Sequence, residues 1–245
     1  MESPGPADRA RRLTPGLSDS DHHPRAIRSF VTRGGRITAA QERALQELWP
    51  QYGVEPGAAA LDLDALFGRR ARRIVEIGFG NGDNLLALAQ SRPAEDFLGI
   101  EVHRPGVGRL LLQLQERRLG NVRVVCRDAV EVLERHLDGE CLDEILILFP
   151  DPWPKKRHHK RRLIQPSFVA LLTDRLRAGG ALRLATDWEP YAAEMLVTLA
   201  AEPRLRNVAA DAGFVPRPAE RSPTRFERRG ERLGHQVWDL EFRRL

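Results

Sequence analysis

Cysteine is scarce in this chain of 245 residues: Cys126 and Cys141 are the only two. Both lie in apolar, strand-like contexts, which reads as buried thiols in a reducing compartment rather than as a disulfide framework. No Cys/His spacing resembles a zinc site, so no metal is expected. Long apolar runs are missing as well. None approaches the roughly 20 residues needed to span a bilayer, which excludes a membrane-spanning helix. The N-terminal residues lack the apolar core of a secretory signal. These absences together lead us to expect a cytoplasmic protein with no membrane partner.

Hydrophobic residues make up 42% of the chain and charged residues 30%. That composition and length fit one soluble, globular domain with ample material for a core. The net charge is +5 and the pI about 9.8. The distribution of the basic residues says more than their excess. Residues 155–162 read Lys155, Lys156, Arg157, His158, His159, Lys160, Arg161, Arg162 without interruption, and looser basic clusters lie at 25–36 and 221–232. A concentrated basic patch is the footprint of phosphate contact; a solvated charge run is the other reading of such a stretch.

Residues 1–26 are rich in Pro, Ser, Asp and Arg and read as a flexible tail ahead of a single domain over 27–245. Thr38 and Gln41 have capping-box spacing. Ala44, Leu45, Leu48 and Trp49 follow at helical spacing, and Pro50 is expected to end this N-terminal helical extension. Residues 51–70 read as a loop and a short helical piece. From Arg73 the pattern changes to alternating strands and helices. Strands are expected at 73–77, 97–102, 122–126, 142–149 and 181–186. Helices are expected at 84–89, 108–119, 129–135, 167–176 (closed by Gly179-Gly180) and 191–201. Short apolar strands alternating with helices imply an α/β fold with a mostly parallel sheet covered on both faces. Residues 234–242 alternate like a strand with no helix after it, which predicts an antiparallel edge strand at the C-terminus.

In such folds ligands bind beyond the carboxyl ends of the strands. The first strand runs into Glu76-Ile77-Gly78-Phe79-Gly80-Asn81-Gly82. A dinucleotide fingerprint places its glycines at relative positions one, three and six. Here they fall at one, three and five, with an acid two places earlier. The loop resembles the E/D-x-G-x-G-x-G turn of class I S-adenosylmethionine-dependent methyltransferases, a Rossmann-like fold. A pyrophosphate needs a bare helix N-terminus, whereas the amino-acid end of S-adenosylmethionine carries an ammonium that Glu76 can hold. Glu101, at the second strand end, is placed to accept from both ribose hydroxyls. Asp128, at the third, can accept from the adenine amine or cap the next helix.

The fourth strand ends Phe149-Pro150-Asp151-Pro152-Trp153-Pro154-Lys155-Lys156. Prolines on both sides of Asp151 restrict its backbone and should project it rigidly beside the cofactor. Trp153 either stacks on a base or packs against the sheet edge. The basic run starts at once, where it would hold a nucleic acid against the catalytic edge.

Across residues 28–242 the chain resembles the bacterial tRNA (guanine-N7)-methyltransferases of the TrmB family. The resemblance is carried by Arg28-Ser29-Phe30-Val31 with Gly35-Arg36 and Gln41, the loop 76–82, the block 99–108, the stretch 149–162, Thr186-Asp187-Trp188 and Thr224-Arg225-Phe226-Glu227. It implies S-adenosylmethionine as cofactor, held by Glu76, Gly78, Gly80, Gly82, Glu101, Asp128 and Asp151, with Asp151 also the catalytic residue. It implies substrate contacts from Lys155, Asp187, Thr224, Arg225, Phe226 and Glu227, and RNA contacts from Arg157, His158, His159, Lys160, Arg161 and Arg162. Arg225 stands where lysine is expected. The implied reaction is methylation of N7 of the guanine at position 46, in the variable loop of tRNA, by a monomer or homodimer. N7 carries an in-plane lone pair and no proton, so Asp151 is not expected to act as a base. Competing readings are a nicotinamide-dependent oxidoreductase, disfavoured by the glycine spacing, a non-catalytic RNA-binding module, which would not need the strand-end acids, and a methyltransferase acting on another base or on protein.

Overall fold

The computed structural model describes residues 36–221, 227 and 236–245. Thr38, Arg36 and Gln41 fall within them; the tail and the 28–35 part of the N-terminal signature lie outside the described residues. Helix α1 (Ala39–Glu47) starts with the expected capping box. Gln41 N donates to Thr38 Oγ1, and Thr38 N donates back to Gln41 Oε1 at 2.9 Å. Pro50 does not end a helical stretch. It occupies the first turn of a second short helix, α2 (Trp49–Tyr52), where proline's missing N–H costs nothing. Helix α3 (Leu63–Phe67) is the short helical piece expected before the first strand.

The rest alternates as expected: β1 (Arg73–Ile77), α4 (Asp83–Ser91), β2 (Asp96–Ile100), α5 (Arg104–Glu116), β3 (Val122–Val125), α6 (Ala129–His136), β4 (Leu142–Leu148), α7 (Pro166–Arg175), β5 (Leu176–Thr186), α8 (Glu189–Ala200), β6 (Leu205–Asn207) and β7 (Trp238–Arg244). The seven strands form one sheet in the order β3-β2-β1-β4-β5-β7-β6. Strands β1 to β5 are parallel, and β7 runs antiparallel to both β5 and β6. The antiparallel C-terminal strand is therefore present. The three-residue β6, too short to show alternation in the sequence, lies outside it.

The sheet divides two apolar layers. Helices α1, α4 and α5 bury Ala44, Leu85, Leu88, Leu110 and Leu114 with Ile74 and Phe97 on one face. Helices α6, α7 and α8 bury Leu133, Val169, Tyr191 and Met195 with Val75, Ile77 and Ile145 on the other. Each fully buried large side chain contributes about 1.5–3 kcal/mol, so two such layers hold the helices on both faces of the sheet. The 167–176 reading of α7 is one residue late at each end, and the glycine pair does not close it. Arg175 ends the helix, Leu176 is already paired with Leu142, and Gly179-Gly180 lie inside an irregular first part of β5 that shifts the register before Ala181 pairs with Glu144.

Several charged residues inside the strands are ion-paired. Arg73 is buried and bonds Asp96, with Asp64 at 2.9 Å. Glu144 accepts from Arg183 at 2.9 Å and Arg92 at 3.1 Å, and Arg183 reaches on to Glu220 at 2.7 Å and Glu241 at 3.1 Å. Such buried pairs roughly offset their own desolvation, and leaving one partner alone would be costly. Their effect is to fix β1 on β2 and to hold residues 215–221 against the sheet.

Candidate active site

Strand order reverses between β1 and β4, and there the carboxyl ends of the strands open into a cleft of about 620 Å³. Gly78, Gly80, Glu101, Asp128 and Asp151 all line it. The glycine loop forms its floor. Gly78, Gly80 and Gly82 have φ of 72°, 59° and 81°, a region that side-chain-bearing residues enter only at a cost. A Cβ on Gly78 or Gly80 would meet nothing within 4 Å, so the backbone is bare toward the cleft. Gly82 is the N-cap of α4, behind the loop. The first turn of α5 presses on the loop so closely that a Cβ on Gly106 would come within 2.1 Å of the Gly80 carbonyl.

Glu101 is held by three backbone N–H groups. Its Oε2 accepts from Gly80 at 2.8 Å; its Oε1 accepts from Val102 at 2.7 Å and His103 at 2.9 Å. The carboxylate therefore has a fixed orientation and ties the first loop to the second strand. Asp128 lines the cleft and also caps α6, its Oδ1 accepting from Val130 N at 2.8 Å. One side chain thus has the capping role and a position open to the cleft.

Glu76 lies apart from these acids. It is buried at 2% exposure, is not among the cleft-lining residues, and accepts from Asn84 Nδ2 at 2.9 Å. Burial pushes its carboxyl up to about 7; the Asn84 hydrogen bond opposes this and the negative charge of Glu101 adds to it. Asn84 Oδ1 is buried with no hydrogen-bond partner among the described residues.

Asp151 is exposed at the mouth of the cleft, and the backbone around it is unusual. Phe149 and Trp153 have φ of 53° and 43°. Left-handed backbone at bulky residues costs on the order of 1–3 kcal/mol each, and it persists only where surrounding contacts enforce it. Phe149 N donates to Ala185 O at 2.8 Å, pinning the start of the turn to β5. Trp153 packs on the basic run. Its ring meets His158 edge-on at 5.8 Å, and the Arg161 guanidinium lies 5.0 Å above it.

The basic run forms a 3₁₀ turn, Lys156–Arg161, opened by the backbone bond from His158 N to Lys155 O at 2.7 Å. Residues 155–161 are exposed or half-buried and adjoin the cleft through Trp153 and Pro154. Desolvation, and then the surrounding cations Arg157, Arg161, Lys155 and Lys160, hold the His158 imidazole below its ordinary range. Arg162 departs from the expectation for it. Its guanidinium is buried against the Tyr191 ring, 4.7 Å away, and bonds Pro152 O and Glu194. The apolar Leu163-Ile164 that follow were the signal that the run turns inward there.

Asp187 is half-buried at the end of β5 and is not among the cleft-lining residues. Thr224, Arg225 and Phe226 lie outside the described residues. Glu227 is buried and paired bidentately with Arg221 at 2.7 and 2.9 Å. Arg221 also grips Asp239 at 2.9 and 3.0 Å and lies 5.7 Å from the Phe149 ring. The sequence marks Arg221 only as the first member of the 221–232 basic cluster, because its partner Asp239 lies 18 residues further along the chain. Both cysteines are half-buried, and burial raises their thiols, Cys141 to about 11. Among the described residues no group of His, Cys, Asp and Glu could hold a metal, and no helix is long and apolar enough to cross a membrane.

A family model described as "Putative methyltransferase" matches residues 70–240. A Leifsonia xyli subsp. xyli protein named tRNA (guanine-N(7)-)-methyltransferase is 60% identical over 218 residues, 89% of this chain and 96% of that relative. One of the same name from Methylococcus capsulatus is 56% identical over 232 residues, 95% of this chain and 100% of its own length. The chain belongs to the tRNA (guanine-N7)-methyltransferase family. The crystal structure of the 16S rRNA methyltransferase KamB has the same fold, with a TM-score of 0.55 at 15% identity over 76% of this chain and 95% of that one. Membership removes the oxidoreductase reading.

The raised carboxyl of Glu76 has a consequence for stability. Between pH 4.5 and about 7 the folded protein holds a proton here that the unfolded chain has lost, so this residue's contribution to stability falls as pH rises through that window. Urea unfolding of the ligand-free protein and of Glu76→Gln at pH 5 to 8 should show wild type losing on the order of 3 kcal/mol relative to the variant as pH rises. A difference independent of pH would mean that Glu76 is ionised throughout.

Proposed function

We propose that this chain transfers the methyl group of S-adenosylmethionine to N7 of guanine in tRNA, at position 46 of the variable loop. The observation that carries the reading is the position of Asp151, at the mouth of a cleft floored by the glycine loop and beside an exposed basic turn. The cleft suits the cofactor. Bare backbone at Gly78 and Gly80 admits a close ligand, and the oriented Glu101 carboxylate suits a ribose diol. Asp128 would take the adenine amine. Glu76, reached past the loop, would answer the charged amino-acid end. Bound S-adenosylmethionine supplies an electrophilic methyl on a sulfonium.

The protein's own task is then mostly alignment. Guanine N7 needs no deprotonation, so no base is required, and holding the base in line can supply several kcal/mol. Positive charge develops on the purine as the bond forms. Asp151 is placed to stabilise that charge or to accept from the guanine N1/N2 edge, with Asp187 and Lys155 completing the substrate side. Glu227 is engaged by Arg221 and would serve the substrate side by holding that guanidinium rather than by direct contact. Phosphate contact falls to Arg157, His158, His159, Lys160 and Arg161. The domain over 27–245 would carry the whole activity, as a monomer or homodimer acting on cytoplasmic tRNA.

Two measurements follow. Replacing Arg157, Lys160 and Arg161 together with glutamine should weaken tRNA binding. It should also flatten the dependence of log K on log salt by roughly 2 to 3 units if each residue meets one phosphate. Calorimetry should find cofactor affinity unchanged, and an unaltered salt slope would return the run to a solvated surface. Asp151→Asn keeps the shape and removes the charge. Single-turnover methyl transfer with saturating tRNA and S-adenosylmethionine should slow on the order of 100-fold, about 2.7 kcal/mol of transition-state stabilisation. A near-normal rate would leave Asp151 a purely structural residue of the strand end.

A further inference from the structure

The last residue of the basic run has the features of a phosphate ligand in the sequence and of a strut in the fold. Arg162 is 3% exposed. Its Nε donates to Pro152 O at 2.9 Å, one Nη donates to Glu194, and the plane of its guanidinium lies over the Tyr191 ring. Tyr191 is itself fixed, its hydroxyl oxygen accepting from Ile164 N at 3.1 Å. Glu194 and Tyr191 both belong to α8, the helix that follows Asp187 and Trp188.

The carbonyl that Arg162 holds belongs to the residue immediately after Asp151. The residue beyond it, Trp153, is in the left-handed region. The turn bearing Asp151 is therefore fastened at both ends: Phe149 N to β5, and Pro152 O to α8 through Arg162. Prolines fix φ at 150 and 152 and restrict Asp151 between them, and the guanidinium fixes the orientation of the peptide after Pro152. Both fastenings lead to the β5–α8 corner, where Asp187 sits. A planar fork reaches a carbonyl and a carboxylate together, which a lysine ammonium cannot do in the same geometry.

We infer that Arg162 is a positioning residue that sets Asp151 relative to Asp187 through Pro152 O and the Glu194–Tyr191 face of α8, and makes no contact with RNA. The inference rests on the reading of Asp151 given above. A guanidinium this deeply buried has no path to a phosphate without breaking its bonds to Pro152 and Glu194, and a charge left uncompensated there would be costly.

The test compares Arg162→Lys with wild type, at a temperature where circular dichroism shows both folded. Single-turnover methyl transfer at saturating tRNA and S-adenosylmethionine should fall on the order of tenfold to a hundredfold, as small misplacements at a reacting centre do. The tRNA dissociation constant and its salt slope should stay as in wild type. Glu194→Gln, which loosens the same guanidinium from α8 and leaves the basic run intact, should give the same signature and keeps the test open if the lysine variant does not fold. An RNA contact would give the reverse: a saturated rate near wild type in both variants, or a weakened tRNA affinity with a reduced salt slope in Arg162→Lys. Either result overturns the inference. So does a lower melting temperature with an unchanged saturated rate, since that is a structural role alone. Wild type that transfers no methyl to tRNA would instead overturn the functional reading on which this one stands.

Discussion

The hydrogen bond from Gly80 N to Glu101 joins the first strand-end loop to the second strand end, and the geometry of the cleft depends on it. Without an acceptor there, the half-buried Gly80 N–H at a positive-φ turn would lose the bond that ties the loop to β2. With it, the loop is locked, Gly106 can pack against the Gly80 carbonyl, and α5 takes its angle from that contact. The same carboxylate accepts from Val102 and His103, so β2 cannot end elsewhere. One acid thereby shapes the floor of the cleft and presents itself to a ligand.

The opposite wall is built on another principle. Around Asp151 the backbone is forced into conformations that Phe149 and Trp153 would not choose, and fixed neighbours enforce them: β5 on one side and the buried Arg162 on the other. Strain held by buried polar contacts makes a rigid turn, and rigidity suits a reaction whose demand is alignment more than proton transfer. Arg221 repeats the device nearby, linking Glu227 to Asp239 beneath the Phe149 ring. The exposed cations then stand outside this framework, free to meet phosphate.

Much of this was legible in the residues. Apolar runs such as Ile74-Val75 and Ile145-Leu146-Ile147 announced buried parallel strands, because no other placement hides both faces. The glycine spacing and the acids at 101, 128 and 151 announced the cleft, because strand ends converge in a doubly covered sheet. The misses have physical causes. Pro50 signalled a stop and is a start, since proline suits a first helical turn as well as it ends the preceding helix. Gly179-Gly180 looked like a helix terminus, but pairing of Leu176 with Leu142 overrode the local signal. The burial of Arg162 and Glu227 was not legible, because a one-dimensional sequence does not show which cation finds which carboxylate. Glu76 matched the cofactor loop, but its burial against Asn84 was not legible, because a strand alternates its faces and this one leads behind the loop.

The central claim is chemical: a single methyl placed on N7 of one guanine. It is tested most directly by incubating the protein with labelled S-adenosylmethionine and two tRNA transcripts, one carrying guanine and one adenine at position 46. Reductive strand cleavage at 7-methylguanine then maps the product. The account predicts label and one cleavage at position 46 in the first transcript, and neither in the second. Label without cleavage, cleavage at another guanine, or equal labelling of both transcripts would contradict it.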